Sequence, residues 1–425
     1  MRIQIKNGRL IDPKNSIDAQ QDVFIASGRV VAVGSAPSGF AVDKVIDASG
    51  LVVAPGLVDL AARLREPGYE YRATLESEMD AAVAGGITSL ACPPDTDPPL
   101  DEPGLVEMLK HRARQLNQAH LYPLGALTQE LKGEEITEMA ELTDAGCVGF
   151  SQADAPLVDT RVLLRAMQYA ATFGYTVWLR PQDSFLARDG VAHDGEVATR
   201  LGLPAIPVCA ETIALSTMLQ LARETGAKLH VCRLSSAEGV AMVRAAKQEG
   251  LALTCDVSMN HTHLSETDIG FFDANCHLVP PLRSQRDRDA LRAGLLDGTI
   301  DAIVSNHSPV DEDAKQLPFA EAEVGATGME LLLPLTLKWA KQVDLSLSDG
   351  LARITSQAAR ILNANAGHLS VGAPADVCIF DPQAYWKVEA AALKSQGKNT
   401  PFLGNELQGR VRYTLVNGQL VYQSA

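Results

Sequence analysis

The sequence predicts an α/β protein with two parts, a TIM-type (β/α)8 barrel and a small composite β-sandwich. The middle of the chain alternates short apolar segments with helix-length amphipathic segments, which is typical of a closed parallel barrel. Both ends carry short strand-like segments broken by turn residues. A chain of 425 residues is long enough for one large domain and one small one. We expect residues 55–366 to form the barrel, and residues 1–54 and 367–425 to pair into the sandwich.

The amino-terminal region is predicted to consist of short β-strands. Asp22–Ala26 and Arg29–Val33 have strand patterning. Asn7-Gly8 and Ser27-Gly28 interrupt this region, and such pairs are typical of two-residue hairpin turns. We therefore expect a hairpin at each of them.

The barrel strands are predicted from apolar runs bounded by polar or turn residues. The first is Leu57–Leu60, whose carboxyl end leads into residues 61–63. Seven more candidates follow: Thr88–Cys92, His120–Leu124, Cys147–Ser151, Thr176–Arg180, Lys228–Arg233, Leu253–Val257 and Ala302–Ser305. Leu105–Leu116 and Leu345–Leu362 have amphipathic helix patterns that fit barrel packing. The carboxyl ends of the strands are where a barrel places its functional residues.

Strand patterning returns near the carboxyl end of the chain. Ala375–Asp381 and Arg410–Tyr422 resemble the amino-terminal strands, and Asn417-Gly418 predicts another hairpin turn. These segments are distant in sequence from residues 1–54, yet both regions consist of short strand-like segments separated by turn residues. We expect them to share one sandwich.

Composition and charge exclude several classes of partner. The chain is 46% hydrophobic and 21% charged, with a net charge of -15. That charge argues against nucleic acid or an anionic membrane as a partner. No apolar run approaches 18 residues, and Met1–Ile5 alternates like a strand rather than a cleavable leader. We expect a cytoplasmic protein whose seven scattered cysteines are reduced core residues.

Several segments carry a specific family resemblance. Residues 55–68 read PGLVDLAARLREPG. Further motifs follow in order: Ala91–Pro99, Val279–Arg283, Asp297–Asp301, Gly372–Asp376 and Asn399–Phe402. Over nearly its whole length the chain resembles the dihydroorotases of the amidohydrolase superfamily. The resemblance implies the barrel and sandwich described above, and it implies a metal site at the carboxyl ends of the barrel strands.

The positions that match the family's metal ligands have all changed residue type. Where the family has His-x-His, its Asp-Asp pair, two further histidines and a catalytic aspartate, this chain has Ala61, Arg63, Gln152, Ala153, Arg180, Arg233 and Asn306. Arginine keeps its proton and has no lone pair for a metal, and an asparagine amide is not a base. The chain is therefore expected to hold no metal and to lack the family's hydrolytic chemistry.

The arginines at these positions allow two interpretations. They could pair with acids at the barrel mouth, with Glu66 and Asp59 as the default partners, since buried charge needs compensation. Alternatively, Arg63, Arg65, Arg180 and Arg233 could form an anion-binding site suited to phosphate or carboxylate.

Other polar residues near the expected site have plain explanations. Arg65 matches the family's substrate-carboxylate set, whereas Asp95 replaces an asparagine of that set and would repel a carboxylate. The spacing His261-x-His263 would suit a metal, but a third ligand is missing. His230 and His307 are interpreted as hydrogen-bonded structural residues.

The sequence thus predicts a member of the family that is not an enzyme and needs no cofactor. The resemblance implies a role as the non-catalytic subunit that accompanies the aspartate transcarbamoylase catalytic chain in pyrimidine biosynthesis, in a homo- and hetero-oligomer. One alternative is an active amidohydrolase with a rearranged site. Another is an anion-sensing regulatory subunit, which is compatible with the first reading.

Overall fold

The amino-terminal part of the chain forms strands of two sheets. The structure is a computed structural model that describes residues 1–424. The first strands are β1 (Arg2–Lys6), β2 (Arg9–Asp12), β3 (Ile17–Gln20), β4 (Asp22–Ala26), β5 (Arg29–Gly34), β6 (Lys44–Asp47) and β7 (Val52–Pro55). The predicted hairpin at Ser27-Gly28 joins β4 and β5, and both turn residues have positive φ, of 51° and 76°.

The predicted hairpin at Asn7-Gly8 is wrong. Strand β1 pairs with β4 and β6, whereas β2 pairs with β3 and β7, so the chain changes sheet at this turn. A Cβ at position 8 would overlap the Val53 side chain. The glycine is therefore required by close packing between the sheets and not by a hairpin.

The barrel prediction is confirmed by parallel strands that follow one another around a closed sheet. They are β8 (Leu57–Asp59), β9 (Ile87–Cys92), β10 (His120–Pro123) with its continuation β11 (Gly125–Ala126), β12 (Phe150–Ser151), β13 (Thr176–Leu179), β16 (Lys228–Val231), β17 (Leu253–Ser258) and β18 (Ala302–Val304). Strands β14 (Ala192–His193) and β15 (Ala205–Ile206) form a separate pair between β13 and β16. A parallel bridge between Ala62 and His307 closes the ring.

Helices cover the outside of the barrel. They are α1 (Leu75–Ala84), α2 (Pro103–Leu116), α3 (Met139–Ala145), α4 (Thr160–Phe173), α5 (Glu196–Leu201), α6 (Val208–Thr225), α7 (Ala237–Gln248), α8 (Met259–His263), α9 (Gln285–Leu296), α10 (Glu312–Lys315), α11 (Leu332–Gln342), α12 (Leu347–Ala352) and α13 (Ser356–Leu362). No helix within residues 1–424 has the length and apolar character needed to span a membrane.

The segment Leu345–Leu362 is not the single helix that its pattern predicts. Two helices, α12 and α13, flank a break at residues 353–355. The carbonyl oxygens of Arg353 and Ile354 accept the backbone N–H groups of Ile303 and Val58, which belong to barrel strands. The helix ends there because these carbonyls bond to the barrel.

The carboxyl-terminal strands complete the sandwich. Strands β19 (Val377–Lys387), β20 (Glu406–Val416) and β21 (Gln419–Gln423) join β7, β2 and β3 in one six-stranded sheet, with the predicted hairpin at Asn417-Gly418. One face of this sheet, with Val53 and Ile379, packs against the four-stranded sheet. The other face, with Val52 and Phe380, packs into the main barrel core. The sandwich therefore supports the barrel through alternate side chains.

The cysteines differ in their surroundings. Five are buried, at positions 92, 147, 255, 276 and 378, and Cys232 is partly buried. Cys209 is exposed, so the expectation of a core position fails for this residue. It lies in the first turn of α6, on a face of the helix that the barrel does not cover.

Candidate functional site

The candidate site lies where the barrel strands end. Arg63, Arg180 and Arg233 follow the carboxyl ends of β8, β13 and β16, and Asp154 follows β12. Ala153 and Arg233 have positive φ, of 50° and 54°, which is uncommon for residues other than glycine and turns the chain sharply after the strand. The parallel strands bring these four side chains to one end of the barrel.

The three arginines converge on a single carboxylate. Arg63 Nη2 donates to Asp154 Oδ2 at 2.7 Å. Arg233 Nη2 donates to Asp154 Oδ1 at 2.6 Å, and Arg180 Nε donates to the same oxygen. The arginine side chains are between 5% and 10% exposed, whereas that of Asp154 is 31% exposed. We call Arg63, Arg180, Arg233 and Asp154 the arginine cluster.

The charges in the arginine cluster keep Asp154 ionised. Burial alone would raise the pKa of the Asp154 carboxyl. The nearby charges of Arg233, Arg180 and Arg63 outweigh burial and hold that pKa well below its ordinary value. The centre of the site is thus a negative charge surrounded by fixed positive ones, the reverse of a metal bound by carboxylates and imidazoles.

Further contacts lock Arg63 in place. Its Nε donates to Asp95 Oδ2 at 2.7 Å and its Nη1 donates to Ser308 Oγ at 3.1 Å. This contact gives Asp95 a structural role, whereas the sequence predicted only that Asp95 would repel a substrate carboxylate. The guanidinium is therefore shared by two carboxylates and a hydroxyl, an arrangement that fixes its plane.

The remaining changed positions are engaged in ordinary hydrogen bonds. The Asn306 side-chain oxygen accepts from Arg233 Nη1 at 3.2 Å. Gln152 accepts from Thr128 Oγ1 at 2.9 Å and donates to the Leu131 carbonyl oxygen at 2.8 Å. Ala61 contributes only its backbone to this region, where its carbonyl oxygen accepts the His307 N–H. None of these three side chains can act as a base.

Arg65 lies apart from the arginine cluster. Its Nε donates to the carbonyl oxygen of Pro309 at 2.9 Å and not to Asp154. Burial and, after it, the neighbouring charge of Arg63 lower the pKa of Arg65 to about 10. The structure therefore brings together three of the four arginines of the expected anion site and leaves Arg65 beside them.

The default partners expected for the arginines are wrong. Asp59 accepts from the backbone and hydroxyl of Ser305, which joins the first and last barrel strands. Glu66 caps α1 by accepting the Leu75 N–H at 2.8 Å, and its ion pair is with Arg112 on α2. Both acids point to the barrel wall and helix ends.

His307 and His230 are buried and hydrogen-bonded. His307 Nε2 lies 2.6 Å from Glu78 Oε2, and its Nδ1 accepts the Gly328 N–H at 3.0 Å. His230 Nε2 lies 2.9 Å from Asp256 Oδ2, and its Nδ1 lies 2.8 Å from Thr254 Oγ1. All ring nitrogens of these two histidines have partners.

The pair His261 and His263 is not arranged as metal ligands. Both belong to helix α8, where residues two apart point in nearly opposite directions. The Nε2 of His261 lies 3.1 Å from the Pro281 carbonyl oxygen, and that of His263 lies 2.8 Å from the Leu335 carbonyl oxygen. Burial lowers the pKa of each ring to about 4, so both are neutral near pH 7.

The arginine cluster does not fit a divalent metal, because guanidinium groups repel a cation and offer it no lone pair. One other group in residues 1–424 has donor types that metals accept, namely His230, Cys232 and Asp256, whose donor atoms lie within 4.8 Å of one another. Both His230 nitrogens are already bonded, and Asp256 also accepts the Arg233 N–H at 2.7 Å. Burial raises the pKa of the Cys232 thiol well above its usual value. A metal there would have to displace these hydrogen bonds.

A small cleft lies beside the arginine cluster. A cleft of about 130 Å³ opens beside Arg180 and Gln182, and the rest of its lining is mostly apolar, including Leu163, Ile213 and Met218. Pockets that enclose small-molecule ligands are commonly about 300–1,000 Å³. The cleft beside Arg180 is smaller than such pockets.

Sequence reasoning missed the central role of Asp154. The family's Asp-Asp-Gly becomes Gln152-Ala153-Asp154, so the carboxylate moves one position along the chain. Three buried arginines require a counter-charge, which was the available signal. The sequence analysis assigned that counter-charge to Glu66 and Asp59, because both were expected at the barrel mouth.

Comparisons with known proteins place these observations in a family. A dihydro-orotase-like family profile matches residues 50–239, and an amidohydrolase family profile matches residues 326–422. A dihydroorotase-like protein of Pseudomonas aeruginosa is 45% identical over 423 residues and covers 100% of both chains. A dihydroorotase of a Geobacter species is 41% identical over 427 residues, with 100% of both chains covered.

Solved structures show the same architecture. The L-hydantoinase (dihydropyrimidinase) from Arthrobacter aurescens superimposes with a TM-score of 0.89 at 25% identity, over 99% of this chain and 96% of that chain. The dihydropyrimidinase from Brevibacillus agri has a TM-score of 0.82 at 20% identity, over 100% of this chain and 95% of that chain. The second likeness concerns the fold alone.

Proposed function

The chain belongs to the dihydroorotase-like family of the amidohydrolase superfamily, and from this premise we propose that it is a non-catalytic subunit of a pyrimidine-synthesis assembly. The observation that carries the proposal is the arginine cluster, in which three guanidiniums surround Asp154 at the carboxyl ends of the barrel strands. The resemblance to dihydroorotases implies that the family's metal lies at this end of the barrel, so guanidinium groups here support a non-catalytic role.

Hydrolysis of a cyclic amide requires an activated water and a group that transfers its proton. Asn306 has no basic oxygen, and its amide is occupied by Arg233 and the Val279 carbonyl oxygen. Asp154 is a carboxylate, but its pKa lies well below the ordinary range, so it is a poor base near neutral pH. The proposal therefore assigns the barrel no hydrolytic step.

The proposed partner is the aspartate transcarbamoylase catalytic chain. This assignment rests on the family resemblance, because pyrimidine synthesis links carbamoyl transfer to the dihydroorotase reaction. An intact barrel and sandwich without the family's metal ligands leave contact with another subunit as the remaining task. A stable interface of this kind buries at least about 1,000 Å² in total.

The direct test mixes the two purified proteins at micromolar concentration and measures mass by light scattering after gel filtration. We expect a mixed complex whose carbamoyl-transfer rate or stability exceeds that of the transferase alone. Separate elution, together with transferase activity that is indifferent to this chain, refutes the scaffold proposal.

The competing function is active hydrolysis. Relatives at 38–41% identity carry the name dihydroorotase, and the group His230, Cys232 and Asp256 contains metal-compatible donors. Elemental analysis and a dihydroorotate assay separate the two functions. One or two zinc ions per chain, with turnover that chelation abolishes, would establish the competing function.

An anion-sensing role is a second candidate. Arg65 is 9% exposed, and its guanidinium bonds to a carbonyl oxygen instead of a carboxylate. Calorimetric titration with carbamoyl aspartate tests this role. Saturable binding that Arg65→Gln abolishes would support it, and binding unaffected by this change would assign the anion elsewhere.

A further inference from the structure

A second charged pocket lies on the side of the barrel. It is formed mainly by α8, α9 and α11, encloses about 300 Å³ and shares no lining residue with the arginine cluster. Its lining includes Arg288, Arg292, Lys338, His263 and Phe402. We call it the α9–α11 pocket.

The positive charges of the α9–α11 pocket are poorly compensated. Arg288 and Arg292 are four residues apart on α9 and therefore share one face of the helix. Arg288 pairs with Asp289 at 2.9 Å, but Arg292 donates to the neutral amide of Gln342 at 2.7 Å. Lys338 forms no ion pair or side-chain hydrogen bond with residues 1–424. Two cations are thus left without a carboxylate.

One carboxylate, Asp268, belongs to the pocket lining and offsets one of its positive charges. Its Oδ2 accepts the Ser265 N–H at 2.8 Å and so caps a short helical turn. In a chain with a net charge of -15, a recess lined by three cations and one acid differs in sign from the average surface.

The three cations line one pocket, and their charges lower the pKa values of groups beside it. Burial lowers the pKa of Arg292, and the charge of Arg288 lowers it further. Burial lowers the pKa of His263 to about 4, and Lys338, Arg292 and Arg288 all act in the same direction. An anion in the pocket would relieve this mutual repulsion.

We propose that the α9–α11 pocket binds a compact, multiply charged phosphate ligand. The Arg292 guanidinium can match phosphate oxygens in pairs, and the Lys338 ammonium adds a mobile point charge. Arg288 contributes only the part of its guanidinium that Asp289 does not engage. The volume lies at the lower end of the range for small-molecule sites. His263 and Phe402 meet edge to face, with centroids 6.3 Å apart, and supply a rigid wall. This site is independent of the subunit function proposed above.

Calorimetric titration of the full chain with pyrophosphate tests the proposal. We expect saturable binding with one site per chain, weakened about tenfold or more by the double change Arg292→Gln and Lys338→Gln, since each charge-assisted hydrogen bond is worth about that factor. Arg286→Gln is the matched control, because Arg286 lies on the same helix but pairs with Glu238 outside the pocket. The control should bind as the unchanged protein does.

Three results would overturn the proposal. They are the absence of saturable binding to the unchanged chain, equal binding by the double variant, and loss of binding on Arg65→Gln with no loss in the double variant. The last result would move the anion to the barrel mouth. If the double variant does not fold, Lys338→Gln alone serves, because Lys338 is exposed and its loss breaks no recorded bond.

Parallel titrations with inorganic phosphate and ribose 5-phosphate identify the source of the phosphate group. Tighter binding of inorganic phosphate assigns the pocket to the free ion, and tighter binding of ribose 5-phosphate assigns it to a phosphorylated metabolite. Both outcomes support binding of a phosphate group in the α9–α11 pocket. The result is separable from the subunit proposal, since neither titration requires the transferase.

Discussion

The change Asp154→Asn removes the charge on which the three arginines converge while leaving the size of the side chain almost unchanged. Arg63, Arg180 and Arg233 would then face one another around a neutral amide. Breaking a buried ion pair by removing one partner costs about 3–5 kcal/mol. Because the Asp154 side chain is 31% exposed, water screens part of this cost. We therefore expect the free energy of unfolding to fall by about 3 kcal/mol.

Thermal melting and urea titration measure this loss. The unfolding entropy of a chain of this length is roughly 0.9 kcal/mol/K at about 2.1 cal/mol/K per residue, so the melting temperature should fall by about 3 °C. Asp144→Asn is the matched control, since Asp144 is exposed on α3 and forms no ion pair with any residue of 1–424. Its effect should stay within about 0.5 kcal/mol.

A second measurement separates lost charge from lost shape. Sulfate or formate should raise the melting temperature of Asp154→Asn more than that of the unchanged protein, because a free anion can replace the missing carboxylate. If Asp154→Asn is as stable as the Asp144→Asn control, the arginines do not depend on Asp154. That result would refute the account of the arginine cluster.

The remaining predictions concern pH, restoration and the barrel seam. The pKa of Asp154 is lowered in the folded chain, so the Asp154 carboxylate stabilises the fold above the ordinary aspartate pKa of about 4, and this contribution is lost as pH falls further. In urea titrations, the difference in unfolding free energy between the unchanged protein and Asp154→Asn should therefore shrink below that pH. Ala61→His with Arg63→His should give no dihydroorotate turnover, because the other changed positions, including Asn306, would still lack the family's residues and catalytic residues that act as a unit have non-additive effects. Robust turnover would contradict this. Glu78→Ala should lower the free energy of unfolding by about 3 kcal/mol or more, because the buried His307 loses its 2.6 Å partner; a loss below about 1 kcal/mol in thermal or urea unfolding would contradict it.

Much of the fold could be predicted because it depends on local patterns. Barrel strands such as Thr176–Arg180 are apolar runs of strand length, and the observed strand Thr176–Leu179 differs by one residue. Turns such as Asn417-Gly418 have a backbone requirement that few residue types meet. The prediction failed at Asn7-Gly8, because a turn sequence does not reveal whether the next strand pairs with the preceding one or with another sheet.

The candidate site was likewise predictable only in part. The types of the changed residues, such as Arg233 and Asn306, are properties of single positions, so the sequence alone shows that these side chains cannot act as metal ligands or as a base. The partners of the charges could not. Asp154 is 91, 26 and 79 residues from Arg63, Arg180 and Arg233 along the chain.

By itself, then, the sequence determined the strand and helix pattern, the family resemblance and the chemistry that each changed residue can no longer perform. Tertiary structure alone decided that Asp154 accepts hydrogen bonds from three arginines, that Glu66 caps α1, and that Leu345–Leu362 breaks into two helices. The physical reason is the distance along the chain over which each interaction acts. Residue chemistry and backbone preference act within a few positions, whereas ion pairing and strand bonding depend on which chain segments the closed barrel brings within about 3 Å.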